Sequence, residues 1–169
     1  MQHTNWTDRK FSRIEDDGLL PNILERLDGT EYRLAGKLAE EEDFDLFGRT
    51  GGKWSIMEQL GHLITLEPLW ARRVRDIIGG KEIMTEADMS NAATAKGNFN
   101  SRQLEGLLDE FGERREVFLD LLRNATPADL EKTSLHPRLK TPMRIVDLAY
   151  FVAEHDDHHL AKINAMIWQ

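Results

Sequence analysis

Three histidines have the spacing of a metal site. His155 and His159 are four residues apart in a segment with helical periodicity, so both imidazoles lie on the same face of one helix. His62 lies on the apolar face of an earlier predicted helix, and packing of the two helices would bring it to the pair. Three neutral imidazoles suit zinc, nickel, iron or copper and leave a coordination position open for water or substrate.

The alternative is that these histidines have no ligand. An i, i+4 pair in an acidic helix is often a solvated feature, and a lone core histidine is often only hydrogen-bonded. However, His155, Asp156 and His159 interrupt an otherwise apolar stripe. Burying three polar side chains without partners is costly, and a metal ion removes that cost. The pattern therefore favours a metal site.

Nearby carboxylates are candidates to orient the ligands. Each ligating histidine should donate its second N–H to an acceptor, and Asp156, Glu58 and Asp147 are the candidates. Asp156 could instead pair with an arginine that faces the core. Glu58 could instead complete a capping box with Ser55, three residues earlier. A general base stays unassigned.

Two further residues are weaker candidates for binding substrate. Arg115 falls inside the apolar stripe of the third predicted helix, where it could hold a substrate carboxylate. It could equally pair with a buried acid or extend to solvent. His136 precedes a proline in a loop, where it would either line the mouth of the site or have no role.

Helices must position these residues, because apolar side chains repeat every three and four positions and no useful strand-like alternation occurs. The predicted helices cover residues 19–42, 55–78, 100–124 and a segment from 141 to near the C-terminus. Acidic residues 40–43 would close the first helix, Pro68 should kink the second, and residues 1–17 form an N-terminal arm. The joint 79–99 is long enough to cross the bundle. We therefore expect a single all-α domain, residues 1–169, with the second and third helices parallel.

Composition excludes several classes of protein. The chain has 169 residues, a net charge of −8 and no cysteine. The charge argues against nucleic-acid binding, and the absence of cysteine excludes disulfides and thiol nucleophiles. No stretch approaches the roughly 18 apolar residues of a membrane span, and the N-terminus lacks the apolar core of a secretory signal. We therefore expect a cytoplasmic protein that contacts neither membrane nor nucleic acid.

These motifs resemble those of the DinB-like superfamily, and within it the YfiT-like metal-dependent hydrolases. The similarity extends from about residue 18 to the end of the chain. It depends on the following segments: Lys53-Trp54-Ser55, Glu58, Gly61-His62-Leu63, His136-Pro137, Thr141-Pro142 and the stretch 154–160 (EHDDHHL). The combination of His62 with the histidines of 154–160 is more specific than either part.

The resemblance implies a four-helix bundle with an up-down-down-up course and a long crossover between helices two and three. It assigns the metal to His62, His155 and His159, with His158 not a ligand. Family members bind zinc or nickel, many are homodimers, and characterised relatives include thiol S-transferases that use bacillithiol and a mycothiol-dependent isomerase.

The expected function is thus a metal-dependent enzyme, a hydrolase or a thiol S-transferase, acting on a small molecule with a low-molecular-weight thiol as a possible cofactor. The alternatives are a non-catalytic, metal-binding or stress-associated dimeric bundle, and a structural bundle without metal.

Overall fold

The computed structural model describes residues 4–39, 44–49 and 53–168. Within them, four long helices alternate with short elements. The elements, in chain order, are α1 (Leu20–Leu38), α2 (Ile56–Ile78), α3 (Ala92–Lys96), α4 (Leu104–Arg123), α5 (Pro127–Leu130), β1 (Ser134–Leu135), β2 (Pro142–Met143) and α6 (Ile145–Ile167).

The four long helices are the predicted ones, with shifted ends. α4 begins at Leu104 instead of near residue 100, because Phe99–Ser101 form a separate 3₁₀ turn. α6 begins at Ile145 instead of Thr141, because Pro142–Met143 pair with β1. The sequence shows no useful strand-like alternation, and this short antiparallel hairpin is the element that the structure adds to the predicted all-α domain. The acidic segment 40–43 lies outside the described residues.

The distribution of core residues defines an up-down-down-up course. One apolar cluster contains the N-terminal halves of α1 and α6 and the C-terminal halves of α2 and α4. The second cluster contains the opposite halves of the same helices. α1 and α6 therefore run in one direction and α2 and α4 in the other. α2 and α1 each pack against both α4 and α6, as the predicted crossover requires.

Local sequence signals explain the start of α2. The Ser55 hydroxyl accepts the backbone N–H of Glu58, and the Glu58 carboxylate accepts the backbone N–H of Ser55. This capping box supplies acceptors for N–H groups that the first helical turn leaves unpaired. The helix then runs to Ile78 as one element that includes Pro68.

The crossover between α2 and α4 docks on α2 through an aromatic ring. Phe99 is buried and lies so close to Gly61 that a Cβ there would be 2.2 Å from the ring. A side chain at Gly61 is therefore incompatible with this packing. The contact fixes the crossover, including α3, against the helix turn that carries His62.

The N-terminal arm covers one end of the helix that carries the histidine pair. The ring centroids of Trp6 and Phe11 lie 5.0 and 4.8 Å from that of Phe151 in α6. Trp6 also meets the ring of His155, at 4.9 Å between centroids. The arm therefore forms part of the wall around the histidines.

Candidate metal centre

His62, His155 and His159 converge in the bundle interior. The ring centroids of His155 and His159 are 4.5 Å apart, and that of His62 lies 5.4 and 4.8 Å from them. One nitrogen from each ring lies within 4.8 Å of the other two. Three nitrogens this close can share one ion at the usual metal–nitrogen distance of about 2.1 Å after small side-chain adjustments. All three histidines are buried.

Hydrogen bonds orient two of the three imidazoles. His159 Nδ1 lies 2.6 Å from Gln59 Oε1, an oxygen that can only accept, so Nδ1 carries the proton. His62 Nδ1 lies 3.1 Å from the Thr94 hydroxyl. These contacts leave Nε2 of both rings for a metal, which is how ligating histidines are commonly held. Neither Gln59 nor Thr94 was singled out from the sequence.

The third imidazole carries an orphaned polar atom. His155 Nδ1 is buried and has no hydrogen-bond partner among the described residues. Burial lowers the pKa of His155 and of His159 well below the ordinary value, and it lowers that of His62 to about 4. Neighbouring cations, Lys162 among them, act in the same direction. At neutral pH the three rings are therefore uncharged, the state in which histidine binds metal.

Asp156 lies in an ion-paired cluster next to this site. Arg115 donates to Asp156 at 2.6 and 3.1 Å and to Glu67 at 2.6 and 3.1 Å. It also donates to the backbone carbonyl of Leu27, and Thr30 donates to Asp156 at 2.9 Å. One buried guanidinium thus links all four long helices. The geometry supports the structural alternative for both Asp156 and Arg115, and Arg115 does not line the cavity described below.

The other two candidate carboxylates also have local partners. Glu58 completes the capping box and accepts Arg49 Nε at 2.8 Å. Asp147 accepts the backbone N–H of Ile14 at 2.7 Å and pairs with Arg144 at the start of α6. Neither carboxylate contacts a cluster histidine. The capping alternative is therefore the one that the structure supports for Glu58.

A cavity of about 410 Å³ opens onto the histidine cluster. Its walls include Trp54, Trp70 and Phe151, with the Trp54 ring 4.6 Å from that of His62 and the Trp70 ring 5.5 Å from that of His155. The volume suits a small organic molecule, and the aromatic lining favours a ligand with an apolar body.

His136 lines the same cavity, as one of its two sequence interpretations expects. Its Nε2 lies 3.1 Å from Arg73 Nη1, and its Nδ1 faces the backbone N–H groups of Arg138 and Leu139 at 3.2 Å. Burial and the two arginines lower the pKa of His136 to about 3. The ring is therefore neutral at physiological pH. Arg73 and Arg138 also line the cavity, and no pattern in the sequence singled them out.

The fold and site together describe a four-helix bundle with a buried three-histidine cluster at the end of a cavity. The sequence model of the DinB superfamily matches residues 5–163, so the chain belongs to that superfamily. No curated protein sequence matches it.

One similar solved structure is YfiT from Bacillus subtilis, described as a probable metal-dependent hydrolase with an unusual four-helix bundle topology. The two chains share 17% identity with a TM-score of 0.77, over 94% of this chain and 91% of the other. At this identity the likeness establishes the fold. None of the helices in the described ranges has the length and apolar character needed to cross a bilayer.

Proposed function

We propose that this protein is a divalent-metal-dependent enzyme that acts on a small molecule at His62, His155 and His159. The observation that carries the proposal is the convergence of three neutral, buried imidazole nitrogens within 4.8 Å. The description of YfiT as a probable metal-dependent hydrolase supports it. Three nitrogen ligands suit zinc, nickel, iron and copper, and the resemblance to the superfamily, whose members bind zinc or nickel, makes these two the metals we expect.

The chain's own residues would prepare the site for such an ion. Gln59 and Thr94 hold two rings with Nε2 free, so ligand geometry is set before binding. When bound, a divalent ion with an open position acidifies a water or thiol and acts as a Lewis acid. The walls of Trp54 and Trp70 would exclude bulk water and hold the apolar part of a substrate.

Hydrolysis is the first candidate reaction, on the basis of the similarity to YfiT. Thiol S-transfer is the second, and the lining of the cavity favours it. Among the described lining residues only Glu86 and Asp88 are acidic, and both are exposed. A hydrolysis would be helped by a carboxylate base near the ion, whereas an external thiol, which is intrinsically far more acidic than water, would need no such base. The thiol would come from outside, because the chain contains no cysteine.

Turnover by metal-loaded protein tests this proposal. Zinc- and nickel-loaded wild type would be assayed with activated esters and amides in water, and with low-molecular-weight thiols plus electrophiles. We expect product formation that His155→Ala abolishes and that the neighbouring His158→Ala retains. Full metal occupancy with no turnover above His155→Ala in either panel would favour the non-catalytic, metal-binding bundle.

Assembly and location belong to the same proposal. We expect a homodimer in the cytoplasm, from the resemblance to the superfamily and from the absence of a membrane-spanning helix in the described residues. Light scattering over a range of protein concentrations measures the assembly. A monomer at the highest concentration would contradict the dimer.

A further inference from the structure

A second set of polar groups lines the cavity beside the histidine cluster. Arg73 is 2% exposed, and its guanidinium carbon lies 5.4 Å from the ring centroid of Trp70. Arg138 is half-buried and donates through Nη1 to the carbonyl of Thr7 at 3.0 Å. Both arginines line the same cavity as the three histidines.

The positive charge of this pair has no counter-ion in contact. Arg73 donates from Nε to the carbonyl of Thr85 at 3.0 Å and lies against the neutral ring of His136. No carboxylate among the described residues forms an ion pair with Arg73 or Arg138. Burial and Arg138 lower the pKa of Arg73 to about 10, which leaves it charged at neutral pH. Asp76 raises the pKa of Arg73 only through space, without an ion pair, and a buried cation with no carboxylate in contact is costly and requires an explanation.

Two donors beside these charges are also unsatisfied. Arg138 Nη2 and Trp70 Nε1 are buried and have no hydrogen-bond partner among the described residues. Buried hydrogen-bond donors are nearly always paired in folded proteins. Two unpaired donors in the wall of one cavity therefore indicate a ligand with acceptor atoms. A carboxylate or phosphate offers several acceptors together with the missing negative charge.

We propose that Arg73 and Arg138 form an oxyanion subsite, which holds the carboxylate or phosphate of an aromatic small molecule whose body lies against the tryptophans of the cavity. Trp70 contacts both parts, because its ring centroid lies 5.4 Å from the guanidinium carbon of Arg73 and 5.5 Å from the ring centroid of His155. This inference deepens the proposed function, since it assumes that substrate enters the same cavity. It assigns substrate charge to Arg73 and Arg138, and not to Arg115.

Calorimetric titration with matched probes tests the subsite. Phenylacetate and phenyl phosphate carry the oxyanion, and phenylacetamide is the neutral analogue of the acid. We expect the neutral analogue to bind at least about tenfold more weakly, because it lacks the charge-assisted contacts. Comparing the affinities of phenylacetate and phenyl phosphate identifies whether the subsite prefers a carboxylate or a phosphate. Equal affinity of phenylacetate and phenylacetamide would overturn the inference.

Arginine variants localise the binding. Arg138→Gln and Arg73→Gln should each weaken anion binding about tenfold or more, while zinc content stays unchanged. The matched control is Arg75→Gln, an exposed arginine on the same helix whose loss changes the net charge equally. Because Arg73 is buried, circular dichroism must show that Arg73→Gln folds. If Arg73→Gln does not fold, the result for Arg138→Gln decides the test, because Arg138 is only half-buried. If Arg138→Gln and folded Arg73→Gln both bind the anions as tightly as the Arg75→Gln control does, the subsite is refuted.

Titrating zinc-loaded and chelator-treated protein separates this inference from the proposed function. Arginine-dependent anion binding by protein without metal supports the subsite even if the enzyme proposal fails. If anion binding requires zinc and neither arginine substitution changes the affinity, the oxyanion binds to the metal. That result would overturn the subsite and leave the metal centre intact.

Discussion

The buried arginine that joins the four helices gives the sharpest prediction about stability. Arg115 is 2% exposed and forms ion pairs with Glu67 and Asp156, which are 1% and 0% exposed. Arg115→Met keeps the apolar length of the side chain and removes its charge. It would leave two buried carboxylates with no cation in contact. Burial already raises the pKa of Glu67, and the charge of Arg115 offsets only part of that effect.

The magnitude follows from the cost of breaking a buried ion pair. Removal of one partner typically costs about 3–5 kcal/mol, because the remaining charge is uncompensated. For a chain of 169 residues, about 1 kcal/mol lowers Tm by about 3 °C. We therefore expect Arg115→Met to lower Tm by about 9–15 °C. The variant should also weaken metal binding, because Asp156 lies between the ligands of α6.

Urea and thermal unfolding of the metal-free protein, followed by circular dichroism, measure this loss. Arg114→Met is the matched control, because Arg114 is 41% exposed and pairs with Glu110 on the same helix. The control should lose at most about 1 kcal/mol. Adding Glu67→Gln and Asp156→Asn to Arg115→Met should recover part of the loss, because no unpaired charge remains. A loss in Arg115→Met no larger than in the control would refute the reasoning.

Three further predictions follow from the surroundings of the site. Gln59→Leu removes the acceptor of one ligand and should weaken zinc binding about 10–100-fold in competition titrations; unchanged affinity would contradict the orienting role. Gly61→Ala should destabilise by about 1–3 kcal/mol in urea, since its Cβ would overlap Phe99, whereas Gly106→Ala, with no neighbour within 4 Å, should not. The metal-free protein should lose stability on acidification, because the unfolded chain protonates His62 at 6.5 and the folded chain only at about 4. The free energy of unfolding should fall by about 1.4 kcal/mol per pH unit between these two pKa values, with no such loss above them. A urea midpoint that does not change between pH 7 and 5 would contradict this prediction.

The sequence predicted the parts of this molecule that depend on local pattern. The three- and four-residue apolar repeat located the four long helices, and Ser55 with Glu58 located the start of α2. The i, i+4 spacing placed His155 and His159 on one face. Each of these features depends on residues within one or two helical turns of each other, so the pattern alone is informative.

Features that depend on packing between distant segments were not predictable. Strands of two residues are too short for an alternating pattern, so the hairpin of β1 and β2 left no signal. Thr94 reaches His62 only because the crossover docks on α2, which no periodicity encodes. Gln59 had a weak signal, since it lies three residues before His62 on the same face.

The competing roles of Arg115 illustrate the same limit. Its place in an apolar stripe showed that it faced the core, but the choice between substrate and buried acid depended on which side chains of other helices met it. Arg73 and Arg138 left no signal in the sequence, because the convergence of two arginines from distant segments on one cavity appears only in the folded chain.

The metal content of the purified protein is the most direct test of whether His62, His155 and His159 bind a divalent ion. Tag-free protein purified without chelator would be analysed by elemental mass spectrometry beside His155→Ala and His158→Ala, before and after incubation with zinc and nickel. We expect about one zinc or nickel per chain in wild type and His158→Ala, and none in His155→Ala. No metal in wild type after both incubations, or full occupancy in His155→Ala, would contradict it.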